Sequence, residues 1–371
     1  MNKRISCIDG WRAIAALGVL FTHTLAILNH PTWYLGSIDL FQGLNIWGSG
    51  VHLFFVISGF CFLLVMSKNK DYSPKAFLGF WKKRWLRIAP AFYTACIVYG
   101  LYRYGSFSRE LLISLLANFI FLQTYIPDTG IAALFWSLSV EWLFYLLLPP
   151  IFMLIKSFGY IPVIVGMLVA GFVLNLAHYC GYIYADEFAW YYTIFANFEH
   201  FGWGMLLGFV YKQELLSYSF LSGIAGFFLG LFVSYIGKIF FYSAFVKYMG
   251  NWGFIFESTG PLIMTLGFSI MILSSLRDNF INKILSNSVL VFLGRISYSF
   301  YLWHMLVLEL CFQYFKQYIS ISPAGVAMLI VTVLIFLIPL SYISYHLLES
   351  FYFKLSSNKQ RSNYSAVPRN T

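Results

Sequence analysis

Residues 8–24 read IDGWRAIAALGVLFTHT, and LAIL carries the run on to residue 28. From Ala13 to Leu28 no Asp, Glu, Lys or Arg interrupts it, close to the length a helix needs to cross a bilayer core. Lys3 and Arg4 ahead of the run fit a secretory leader. Asp9, Arg12 and His23 break that pattern, and no small-x-small cleavage site follows. The reading is an uncleaved first span over 13–28. Working outward, runs of spanning length recur at 12–28, 47–66, 88–104, 136–156, 160–179, 190–211, 220–242, 256–276, 290–313 and 325–348. An eleventh, 111–125, is short.

Composition supports this over the whole chain. Of 371 residues, 60% are hydrophobic, 21% aromatic and 10% charged. Soluble domains run at about 45–50% apolar and about 25% charged. So few charges cannot cover a water-facing surface, so lipid is the solvent for most of the chain. A soluble enzyme, a nucleic-acid binder and a disordered protein are excluded. The net charge of +10 falls between the apolar runs, where the positive-inside rule and anionic lipid account for it.

Charge asymmetry sets the topology. With a cytoplasmic N-terminus and 111–125 not crossing, Lys3, Arg4, the stretch 67–87, Lys156, Lys212, Arg277, Lys283 and the basic tail all face the cytoplasm. Arg103, Arg109, Lys238, Lys247 and Lys316, with Asp186 and Glu187, face outward. If 111–125 crosses, every later loop inverts. The expected fold is an all-α polytopic integral membrane protein of about ten transmembrane helices, eleven being possible, with both termini cytoplasmic. Residues 1–355 form the membrane domain. Residues 356–371 are polar and expected to be a disordered cytoplasmic tail.

Ionisable groups inside spans are costly and mark candidate sites. Four places carry them. Arg12 and His23 are eleven residues apart, about three helical turns, so they share one face with a rise of roughly 16 Å. Asp9 is a helix cap or a partner for Arg12. A snorkelling arginine and a histidine bonded to a neighbouring helix explain the spacing as well. The loop WKKRWLRIAPAFY, residues 81–93, with Lys68, Lys70 and Lys75, holds seven basic residues against Asp71. Arg84 and Arg87 face together if this stretch is helical. It is either a topology anchor on anionic lipid or a cradle for phosphate, which arginine forks suit.

In WSLSVEWLFYLLLP, residues 136–149, Glu141 lies about 7–9 Å below the outer surface and needs a partner. In GRISYSFYLWHM, residues 294–305, Arg295 marks the cytoplasmic end and His304 lies about 13 Å further along the helix. His23, Glu141 and His304 thus fall at comparable depth. His304 also reads as a two-helix contact. Gly48, Gly50, Ser58 and Gly59 permit close helix approach, and His52 reads as an interface residue. Glu199 and His200 either pair or line a cavity. Cys7, Cys61, Cys96, Cys180 and Cys311 have no CxxC spacing and read as small buried hydrophobes. The histidines show no HxxxH or HExxH, so no metal is expected.

DGWRAIAALGVLFTH, GVHLFFVISGF, RWLRIAPAFY, WSLSVEWLFY and ISYSFYLWH together resemble the third acyltransferase family, over residues 5 to about 353. Its members are bacterial polytopic membrane enzymes that O-acylate surface glycans. The resemblance implies acetyl-CoA, or another acyl-CoA, as donor from the cytoplasm. It implies a glycan or lipid-linked saccharide hydroxyl as acceptor on the outer side, lipopolysaccharide among the candidates. It places the chain in the bacterial cytoplasmic (inner) membrane. It resembles the stand-alone members, without the extra soluble esterase-like domain. Asn197, Glu199 and His200 depart from the family where a basic residue is expected.

On this resemblance Arg12, Lys83, Arg84 and Arg87 are expected to hold the coenzyme A phosphates. His23 acts as general base or transient acyl carrier. Glu141 orients His23 or activates the acceptor. Asp9, Ser139 and His304 support them or touch substrate. The rival class is a transporter or flippase of lipid-linked saccharides, which midplane polar residues also suit, although no inverted repeat is visible.

Overall fold

The computed structural model describes residues 5–35, 38–41, 45–67, 73–183, 187–215, 223–241 and 243–350. The tail 356–371 lies outside the described residues, as do Lys68, Lys70 and Asp71 of the basic stretch. The described chain is helical apart from a two-residue antiparallel ladder, Tyr34–Leu35 against Ile38–Asp39.

The main helices are α1 (Ser6–Ile27), α2 (Gly50–Met66), α3 (Pro74–Tyr104), α4 (Arg109–Phe119), α5 (Trp136–Phe158) and α6 (Tyr160–Tyr179). They continue as α7 (Ile194–Lys212), α8 (Ile224–Phe240), α9 (Gly253–Ser275), α10 (Ser288–Arg295), α11 (Ser297–Phe315) and α12 (Pro323–Ser344). Six segments are long and apolar enough to cross a membrane, and a seventh is added if α10 and α11 count as one bent span. The protein is a multi-pass membrane protein. Helix occupies each of the ten runs marked in the sequence. Of the three runs that fall short, 88–104 is the second half of α3, 190–211 holds the 19-residue α7 and 220–242 yields the 17-residue α8. At 11 residues, or about 16 Å, α4 is too short to cross.

Two local expectations need correction. Residues 81–93 are not a loop. They lie inside α3, which starts where Ser73 Oγ accepts from the Ala76 N–H at 3.2 Å and ends at Gly105 with φ +72°. Pro90 removes one N–H from the ladder, but opening the helix there would free more backbone groups in apolar surroundings. Arg84 and Arg87 therefore do share a helix face. Residues 290–313 are not one helix either. They break at Ile296, where α10 and α11 meet at 75°, so Arg295 and His304 lie on different axes.

Small residues set the closest packing. Gly59 and Gly204 let α2 and α7 touch backbone to backbone: a Cβ on Gly204 would sit 2.0 Å from the Val56 carbonyl oxygen. Phe144 of α5 stacks on Phe201 of α7 with centroids 3.8 Å apart. Gly204→Ala is expected to cost about 1–3 kcal/mol through overpacking. A thermal-unfolding scan in detergent checks this, and an unchanged Tm would show that the crossing is looser than drawn.

Candidate active site

α1 begins the site. The Arg12 guanidinium donates to Asp9 Oδ1 at 3.1 Å and to Cys61 Sγ at 3.5 Å. Asp9 is 1% exposed, and the cap position of α1 is Ile5, so Asp9 is the partner of Arg12. Ser58 and Cys61, one turn apart on α2, face the same space. Ser58 Oγ donates to Glu141 Oε1 at 3.1 Å, and the Tyr145 hydroxyl donates to the same oxygen from one turn further along α5. The Tyr145 ring is one wall of a cage around Arg84, whose Cζ lies 4.8 Å from the Phe62 centroid, 5.3 Å from Phe80 and 5.7 Å from Tyr145. Trp81 Nε1 donates to the Tyr145 carbonyl at 2.8 Å and docks α3 on α5.

These groups enclose a cleft of about 970 Å³, its open mouth included. Arg12, Arg84, Arg87 and Arg295 line it with four guanidinium groups against the carboxylate of Glu141. Ser58, Cys61, Ser137, Tyr145, Tyr298 and Tyr301 line it too. Such a surface suits a polyanion with a polar arm. Along α1 the lining stops at Arg12, and along α11 it stops at Tyr301. The Tyr301 hydroxyl donates to the Leu134 carbonyl at 2.7 Å and lies 2.8 Å from Ser137 Oγ.

One turn beyond Tyr301 is His304, 1% exposed. Its Nδ1 lies 2.6 Å from the Tyr301 carbonyl oxygen, and its Nε2 lies 2.8 Å from His23 Nδ1. The two rings are nearly parallel, with centroids 5.0 Å apart. His23 is half-buried, four residues before the end of α1. Neither histidine lines the cleft, and the Tyr301 ring, which does, lies 5.4 Å from that of His304.

The structure thus divides the expected site. It brings Arg12, Arg84, Arg87 and Glu141 to one cleft, with Asp9 buried beside Arg12, and His23 and His304 into contact with each other. Glu141 hydrogen-bonds Ser58 and Tyr145, while His23 meets His304, so depth alone misled: equal depth says nothing of which helices are neighbours. Lys83 is exposed and outside the cleft lining. Ser139 is fully buried, does not line the cleft, and its Oγ has no partner among the described residues.

Glu199 and His200 neither pair nor line the cleft. Glu199 accepts from Asn175 Nδ2 at 3.0 Å, and His200 Nδ1 lies 3.2 Å from Thr265 Oγ1. His52 packs edge-on to His200 and lies 3.2 Å from the Tyr191 hydroxyl. Cys7, Cys96 and Cys311 are buried, but Cys61 is half-exposed and Cys180 exposed. Cys61, Ser58 and Tyr145 were missed in the sequence. The signal was there: Ser58 with Cys61 at i, i+3 and Glu141 with Tyr145 at i, i+4 each put polar groups on one helical face. Among the described residues no three His, Cys, Asp or Glu side chains cluster to hold a metal ion.

A family model described as an acyltransferase domain matches residues 5–346. The chain belongs to the third acyltransferase family. A protein of Acidianus two-tailed virus named as an acetyltransferase is 26% identical over 81% of this chain and 82% of its own length. The peptidoglycan O-acetyltransferase OatA of Listeria monocytogenes is 26% identical over 83% of this chain and 50% of its own. A Staphylococcus aureus protein named as an O-acetyltransferase is 25% identical, over 84% and 52%. The chain therefore spans about half the length of these two bacterial relatives. No solved structure matches.

Proposed function

We propose that this acyltransferase is an O-acetyltransferase of the bacterial cytoplasmic membrane. In this reading it moves acetyl from cytoplasmic acetyl-CoA to a hydroxyl of a glycan or lipid-linked saccharide on the outer face. Residues 1–355 form the membrane domain, with ten spans and both termini in the cytoplasm. The observation that carries the reading is the cleft that starts among four arginines and ends one turn short of a histidine pair.

Arg84, Arg87, Arg295 and Arg12 bind the coenzyme A phosphates by charge-assisted forks. The pantetheine arm lies along the polar lining towards Tyr301. His23 takes the proton of the acceptor hydroxyl as its oxygen attacks the thioester carbonyl. The C–S bond breaks, coenzyme A leaves as thiolate, and the proton returns to it from His23. Glu141 fixes Tyr145 and so the cage that aims Arg84, and its charge offsets part of the arginine field. The test is labelled acetyl-CoA with the purified protein in detergent, with and without a glycan acceptor. Saturable binding and release of free coenzyme A support transfer. Transport of saccharide with neither would overturn it.

Cys61 offers a direct report on the cleft. In a Cys180→Ser background, acetyl-CoA is expected to slow alkylation of Cys61 several-fold, read by peptide mass spectrometry. Modification at the same rate under saturating acetyl-CoA would mean the donor binds elsewhere.

A further inference from the structure

We infer that His304 is a positioning residue that fixes the tautomer of His23, holding its proton on Nδ1 and its lone pair on Nε2. The inference deepens the reading of His23 as a base and rests on it for its catalytic meaning, but its geometry stands alone.

The Tyr301 carbonyl oxygen can only accept, and His304 Nδ1 lies 2.6 Å from it. His304 Nδ1 therefore carries hydrogen. A neutral imidazole has one N–H, so its Nε2 holds a lone pair. His23 Nδ1 is 2.8 Å from that nitrogen and must be the donor. His23 Nε2 is then left as the free base, on the half-exposed ring of the pair.

The arrangement is held by the fold. Tyr301 and His304 are three residues apart on α11, so the carbonyl's position follows from the helix itself. The Tyr301 hydroxyl is tied to Leu134 and Ser137 at the start of α5. His304 is buried among these groups and has little room to turn. An isolated histidine in water favours the opposite tautomer, with hydrogen on Nε2, which would offer no base on the open side. When His23 takes the acceptor's proton at Nε2, the Nδ1–H bond to His304 becomes charge-assisted and strengthens. The proton then passes from Nε2 to the leaving thiolate, and the pair returns to its starting state.

The test uses the full chain in detergent with ¹⁵N-labelled histidine, the His23 and His304 signals being assigned by their loss in single variants. In the unaltered protein, Nδ1 of His23 is expected to be protonated and Nε2 bare. His304→Ala is expected to move the proton to Nε2 and to lower kcat about 10–100-fold with KM for acetyl-CoA within about twofold. His304→Gln, whose amide oxygen can still accept from His23 Nδ1–H, is expected to restore much of kcat. A spectrum of the unaltered protein with the proton of His23 on Nε2 overturns the inference without any variant being needed. So does a His304→Ala protein with unchanged kcat when His23→Ala is inactive. Failure of the unaltered protein to release coenzyme A would remove the proposed function, yet leave the tautomer assignment to stand or fall on its spectrum.

Discussion

His23→Ala is expected to lower acetyl transfer about 10²–10⁴-fold, the usual contribution of a positioned general base, with protein level and folding unchanged. The site permits so clean a loss because of where His23 sits. It is half-buried near the end of α1, where its ring meets that of His304, so a shorter side chain removes one contact and leaves the helix in place. KM for acetyl-CoA should stay within about twofold, since kcat and KM separate when a group acts on the reacting atoms alone. The arginines proposed to hold the donor line a cleft that His23 does not line. The measurement is coenzyme A release by matched amounts of purified protein. Near-normal turnover would remove His23 from the chemistry and leave the His23–His304 contact as packing between α1 and α11.

Arg84→Ala should act the other way, raising KM for acetyl-CoA about 10–100-fold before it touches kcat. Hydrogen bonds to charged groups contribute about 1.5–3 kcal/mol, and each 1.4 kcal/mol is about tenfold in affinity. Arg84 is aimed by its cage of Phe62, Phe80 and Tyr145, so little freedom is lost when phosphate binds. Arg84→Lys keeps the charge but not the planar fork or its stacking on rings, and should recover only part of the affinity. Lys83→Ala is the control. That side chain is exposed outside the cleft, and its loss should change KM less than about twofold, as surface charges usually do. Equal effects at 83 and 84 would mean that a diffuse basic surface, not the cleft, recruits the donor.

Much of this was legible before any coordinates. The eleven-residue step from Arg12 to His23 needs only helical periodicity, and α1 carries both, but only Arg12 lines the cleft. The i, i+3 pair Arg84 and Arg87 likewise needed only a helix, which α3 supplies even through Pro90. What the sequence could not show is lateral order. Glu141 reads as a partner for His23 by depth, but depth is one coordinate of three, and the bundle sets Ser58 and Tyr145 beside it instead. The break at Ile296 falls in GRISYS, where Gly294, Arg295 and Ser297 interrupt the apolar run, a signal that also fits the cytoplasmic end of a single helix. Cys61 was hidden because a cysteine in an apolar run is usually packing, and only the reach of Arg12 from another helix gives it polar company.

Tyr301 has one more consequence. Tyr301 both lines the arginine-rich cleft and packs its ring against that of His304. Its hydroxyl, pinned by Leu134 and Ser137, holds that ring in place. Tyr301→Phe, which keeps the ring and drops the anchor, therefore bears on the arginine-lined cleft and on the histidine pair together.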